Sequence, residues 1–309
     1  MNKKIIIPIL GLISSVLIAG CFGPGVQKGY ENQVGAKGII ETKYTSFGNS
    51  EVNSKDIQVS GTSFTNIRIW YPSELETSNK RYPVVVFANG TGVINTAYEE
   101  VFKHLASWGF IAVGNDDKNS WNGKSTSKSL DLIISENNNK NSVFYQKVNT
   151  KQIGVSGHSQ GGVAVINAIT TQSNSDLFRS AFGASTTKHE LSVGLQWPYD
   201  VSKVTIPYFA VAGMGASDAG DGKDRKSGIA PLWSMIENMD QLPKSTPSII
   251  ARRRDAFHEH MLYKADGYMT AWFLYTLTSD SEAKKAFSGS SPEIKQNSNW
   301  QDVEIRNIR

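Results

Sequence analysis

Five histidines, three closely spaced aspartates and one Gly-x-Ser-x-Gly run carry most of the chemistry this sequence can offer. The run is Gly157-His158-Ser159-Gln160-Gly161, the only match to the pattern in the chain. Residues 152–156 before it read as a strand. The apolar small residues Val163, Ala164, Val165, Ile166 and Ala168 after it read as a helix. Reversal from strand to helix within about five residues forces the middle residue into a strained conformation. Gly157 and Gly161 are the flanking positions where a Cβ would meet the neighbouring backbone. Such a turn lifts the Ser159 hydroxyl clear of the sheet and aims the first helix amides at whatever is bonded to it. The chemistry this predicts is nucleophilic attack by Ser159.

A serine hydroxyl is a weak nucleophile at neutral pH and needs a base within hydrogen-bond reach. His104 falls on a predicted helix, His158 belongs to the turn itself, where it is expected to pack beneath, and His189 lies in a loop with no strand end nearby. That leaves His258 and His260, both just past the last apolar strand, residues 248–251. The base in turn needs a carboxylate to hold its tautomer, and the loop after the strand at 206–212 supplies Asp218, Asp221 and Asp224. An oxyanion formed at Ser159 needs two preorganised N–H donors. The Gln160 amide heads the helix, and Thr91, with Gly90 beside it, lies in the loop after the strand at 83–88. His258-Glu259-His260 lacks the helical spacing and third ligand of a zinc site, so no metal is expected there. A cation on the Asp/Gly-rich loop is a weaker alternative. No cofactor is implied.

The elements that must position these groups alternate. Alternating runs at 57–60 and 65–71 predict a hairpin. Pro83-Val84-Val85-Val86-Phe87-Ala88 is a continuous apolar run, as a strand buried on both faces requires. Helix 97–108, strand 110–113, a helix through Leu130 and Ile133, the turn at Ser159, strands 180–183 and 206–212, a helix from Pro231, strand 248–251 and a long helix over 267–287 come after it. The alternation predicts a mostly parallel sheet covered by helices on both faces.

Four stretches make a family likeness visible: PVVVFANGTG (83–92), GVSGHSQGG (154–162), VTIPYFAVAG (204–213) and HEHMLYKADGYMTAWF (258–273). From about 57 to 287 the chain resembles an α/β-hydrolase, most of all the chlorophyllase, cutinase-like and polyester-hydrolase branch, built without a large lid domain. The order nucleophile, acid, histidine fits that fold. The resemblance favours His258 over His260 as base. For the acid, counting from Gly213 favours Asp218, whereas counting back from Pro231 favours Asp224, with Asp221 between. It implies a serine hydrolase that cleaves carboxylic esters through an acyl-enzyme, on small-molecule or polymeric substrates. Acyl transfer, peptide cleavage, or a non-catalytic envelope-binding role are the alternatives on one scaffold. Trp121, Trp197 and Trp233 border the active edge and are candidates for groove walls or core.

The N-terminus carries a separate message. Met1-Asn2-Lys3-Lys4 is basic, residues 5–19 are apolar but short for a membrane span, and Leu17-Ile18-Ala19-Gly20-Cys21 resembles a bacterial lipobox. The expected organisation is a signal over 1–20, lipidated Cys21 and a flexible tether over 21–40, and one catalytic domain over 41–309. Cys21 is the only cysteine, so the exported chain has no internal disulfide. By resemblance to sorting rules, Phe22 after Cys21 points to the outer membrane of a double-membrane source. A formal charge of +4 over 309 residues, with no basic tract beyond Arg252-Arg253-Arg254, argues against nucleic acid.

Overall fold

Buried runs dominate the centre of the chain, and they pair with one another. In the computed structural model, which describes residues 25–308, nine strands form one sheet. In chain order the elements are α1 (Ile39–Thr45), β1 (Val52–Gln58), β2 (Asn66–Pro72), β3 (Tyr82–Ala88), α2 (Glu99–Ser107), β4 (Ile111–Asn115) and α3 (Lys124–Asn138). Then come β5 (Val148–His158), α4 (Gln160–Thr170), β6 (Ser180–Ala184), α5 (His189–Gly194), β7 (Tyr208–Gly213), α6 (Ala216–Ala219) and α7 (Leu232–Gln241). β8 (Ser248–Arg253), α8 (Asp266–Thr278), α9 (Ser281–Lys284), α10 (Glu293–Gln296) and β9 (Trp300–Arg306) complete them.

The sheet order is β1-β2-β4-β3-β5-β6-β7-β8-β9. β3 to β8 run parallel, while β1, β2 and β9 close the edges antiparallel. This is the α/β-hydrolase fold. Alternation along β3 shows how the core divides. Val85 and Phe87 face a layer with Phe102 of α2 and Trp272 of α8, and Val84, Val86 and Ala88 face one with Leu130 of α3 and Val163 of α4. With both faces covered, the parallel strands carry mostly apolar central runs, and their C-terminal ends share one edge. Asn89, Ser159, Ser185 and Met214 each come directly after a strand at that edge.

Several expectations need correction. The tether expected over 21–40 is packed from Gly25 onward: Val26 N–H donates to Ala97 O at 2.8 Å, Tyr30 and Val34 are buried, and the Arg253 guanidinium donates to Val34 O at 2.6 Å. These are non-local contacts that a Gly-rich stretch does not announce. Cys21 and the signal lie outside the described residues. The long helix over 267–287 is two helices. Ser279 takes a left-handed conformation (φ 60°), and the Asp280 carboxylate caps α9 through the Glu282 and Ala283 amides. α3 begins at Lys124, ahead of the helix expected through Leu130 and Ile133, and β9 has no counterpart among the expected strands.

Candidate functional site

Ser159 stands at the junction of β5 and α4 with φ 61° and ψ −121°, a conformation that costs a non-glycine residue about 1–3 kcal/mol. Its surroundings enforce it. Ser159 N–H donates to Ala184 O and its carbonyl accepts from Gly162 N–H, both at 2.9 Å. A Cβ on Gly157 would come within 2.3 Å of Gly161 O, and one on Gly161 within 2.1 Å of Ala88 O. The two glycines therefore let α4 press against the ends of β3 and β5.

Among the three candidate acids the geometry is unambiguous. Asp218, on α6, is fully buried, and its Oδ1 lies 2.6 Å from Nδ1 of His258. Its Oδ2 accepts from Ser185 Oγ at 2.5 Å and from Gly213 N–H at 2.7 Å. Asp221 and Asp224 are exposed and build the next turn: Asp221 accepts from the Lys223 and Asp224 amides and from Ser227 Oγ, and Asp224 from the Lys226 amide. The amides on Asp221 hold its carboxyl down at about 2. Neither aspartate reaches the imidazole.

The imidazole is held from both ends. Nδ1 faces Asp218, which leaves Nε2 as the ring nitrogen that could take part in proton transfer, while His258 N–H donates to Ser217 Oγ at 2.9 Å. The His258 carbonyl accepts from His158 Nε2 at 2.8 Å, and the two rings lie 4.5 Å apart. His158, next to Ser159 in the chain, is thus the strut between the elbow and His258. Burial, helped by the neighbouring His258, pushes its pKa down to about 3. It stays neutral and keeps its proton for that carbonyl. His260 is half-buried and stacks edge-on with Phe257, away from the acid.

The oxyanion candidates sort by what their neighbours already do. The Gly90 amide donates to the Tyr98 hydroxyl at 2.8 Å and the Gly92 amide to Lys118 O at 2.9 Å, which leaves Thr91 between them. The Gln160 amide heads α4, with no preceding helical carbonyl to bind. Its side chain locks that end, accepting from Ser120 N–H at 2.8 Å and donating to Asn119 at 3.2 Å.

Residues that sequence reasoning missed hold the site by side-chain hydrogen bonds. Ser185 supports Asp218. Lys188 is buried, and its ammonium donates to the carbonyls of Arg225, Lys226 and Ser227 at 2.7–2.8 Å. The lysine thereby ties the Asp-rich loop to the start of α5. No cluster of potential metal ligands occurs among the described residues. Trp233 carries Arg225 on its ring face at 3.7 Å, and Trp121 and Trp197 pack against the core layer of α3 and α4. His104 is fully buried, 2.8 Å from Asp266. Burial disfavours its charge, but Asp266 and the Ser46 carbonyl together raise its pKa. His189 opens α5 and is exposed.

The sequence model of the family described as Chlorophyllase matches residues 40–184. The match runs from α1 to the end of β6 and takes in the Thr91 loop and the Ser159 elbow, a little under half the chain. No curated protein matches the chain. Fold and match together define a chlorophyllase-like α/β-hydrolase.

Proposed function

We propose that the protein hydrolyses carboxylic esters, with Ser159 as nucleophile, His258 as general base and then acid, and Asp218 holding the imidazole. Ser159 Oγ adds to the ester carbonyl as its proton passes to His258 Nε2. The oxyanion rests on the Thr91 and Gln160 amides, and the leaving alcohol takes the proton from Nε2. Water, activated by the same nitrogen, then releases the acid from the acyl-enzyme. The observation that carries the reading is the 2.6 Å contact of His258 with Asp218 at the strand ends beside a strained Ser159. Hydrolysis of p-nitrophenyl butyrate tests it. Ser159→Ala is expected to lose at least about 10³-fold in kcat, and a folded variant of undiminished activity overturns the reading.

We also propose that Cys21 is lipidated and holds the enzyme at the cell envelope, the outer membrane where the source has one. Gly25 lies four positions after Cys21 in the chain, a reach of at most about 14 Å. The body would therefore sit close to the bilayer. Cys21→Ser is expected to move the protein from the membrane to the soluble fraction, and unchanged fractionation contradicts the anchor.

A further inference from the structure

Beside the elbow lies a cleft of about 270 Å³. Its inner end is formed by Gly90, the neighbour of Thr91, and by His158, the neighbour of Ser159. Its walls are Val26 and Tyr30 from the N-terminal segment, Val93 and Ala97 from the stretch after β3, and Leu262 and Tyr263 from the stretch after His258. Two of these three walls, the N-terminal one and the one after His258, lie outside residues 40–184, which the Chlorophyllase model matches. The N-terminal wall is fixed in place. Besides the Val26–Ala97 and Arg253–Val34 hydrogen bonds, the Tyr30 hydroxyl donates to the buried Asp266 carboxylate.

We infer that this cleft is a subsite for an uncharged hydrocarbon portion of the ester, an inference that rests on the hydrolase reading above. Its walls are largely carbon, no lysine or arginine lines it, and the Glu259 carboxylate and the His260 imidazole stand among its polar groups. An anionic chain end would find no permanent cation there. At about 30 Å³ per water-sized unit, the volume takes about nine non-hydrogen atoms, the size of an octanoyl group. The group is supplied either by the acyl part or by the alcohol part of the substrate. Each methylene that leaves water is worth about fourfold in binding.

Two substrate series distinguish the sources: p-nitrophenyl esters from acetate to octanoate, and acetates of alcohols from ethanol to octanol. In one series, kcat/KM is expected to rise at least about tenfold with length. Ala97→Leu, which fills the cleft, should remove that rise, and Leu262→Ala should move the preferred length upward. Labelling by a fluorophosphonate is measured alongside, because it reports the nucleophile alone. Length profiles identical to wild type in both variants, with labelling intact, overturn the subsite. Absence of labelling in the folded wild type overturns the hydrolase reading beneath it. Should Ala97→Leu fail to fold, Leu262→Ala decides the matter.

Discussion

Replacing Asp218 by asparagine changes one atom, and the surrounding hydrogen bonds dictate how the new side chain sits. Oδ2 accepts from Ser185 Oγ and from the Gly213 amide, at 2.5 and 2.7 Å. In the variant the amide oxygen would take that position, because it alone can accept from the Gly213 N–H. The NH₂ group is then placed where Oδ1 now meets His258 Nδ1 at 2.6 Å. A donor there forces the imidazole to carry its proton on Nε2, the nitrogen that must accept the proton of Ser159. A wrong tautomer in an otherwise intact triad costs about 10⁴-fold in kcat, which at 1.36 kcal/mol per decade is about 5.4 kcal/mol of transition-state stabilisation. Two of the three hydrogen bonds survive, so the fold should lose only about 1–2 kcal/mol. Steady-state hydrolysis of p-nitrophenyl butyrate measures the first effect and urea unfolding the second. Asp221→Asn and Asp224→Asn should leave kcat within about twofold, since their carboxylates cap exposed turns. A folded Asp218→Asn enzyme within tenfold of wild type refutes the assignment, as does a large loss in Asp224→Asn.

The same contacts carry further expectations. Gly161→Ala places a methyl 2.1 Å from Ala88 O, so β3 and the Thr91 loop must shift; kcat should fall at least about 100-fold, as for loss of an oxyanion donor. Lys188→Ala strips three carbonyls of their donor and should destabilise by about 2–4 kcal/mol in urea unfolding; no change would mean that the loop is held otherwise. His158 contributes a pH dependence of definite sign. Its folded pKa of about 3 lies below the unfolded value near 6.5, so between them the unfolded chain binds the extra proton. Stability is full above about pH 6.5 and falls on acidification by up to about 1.4 kcal/mol per unit from this group. His158→Asn should flatten that slope, and parallel curves would contradict the assignment. His104 works the other way: its raised pKa gives stability that is present below about 6.5 and is lost as the pH rises through the folded value.

What can be read in the sequence is local. The Ser159 turn depends on residues within a few positions of one another, and β3 declares itself because both of its faces are buried. The acid is ambiguous there because spacing does not distinguish a buried aspartate from two turn-forming ones. The distinction lies in Ser185 and Gly213, which the fold brings to Asp218 from two strand ends. β9 is not legible because Asp302, with φ 52°, breaks its alternation and shifts its register against β8. The N-terminal segment reads as a tether because its partners, Arg253 and Asp266, lie more than 200 positions away. Non-local polar contacts leave no periodic trace.

The proposed mechanism requires Ser159 to be an activated nucleophile. Intact-mass and peptide mass spectrometry after treatment with a fluorophosphonate tests it most directly. One adduct is predicted, on the peptide containing Ser159, absent from Ser159→Ala and slowed by orders of magnitude in Asp218→Asn. A folded protein that takes up no adduct, or one that carries it on another residue, would contradict the account.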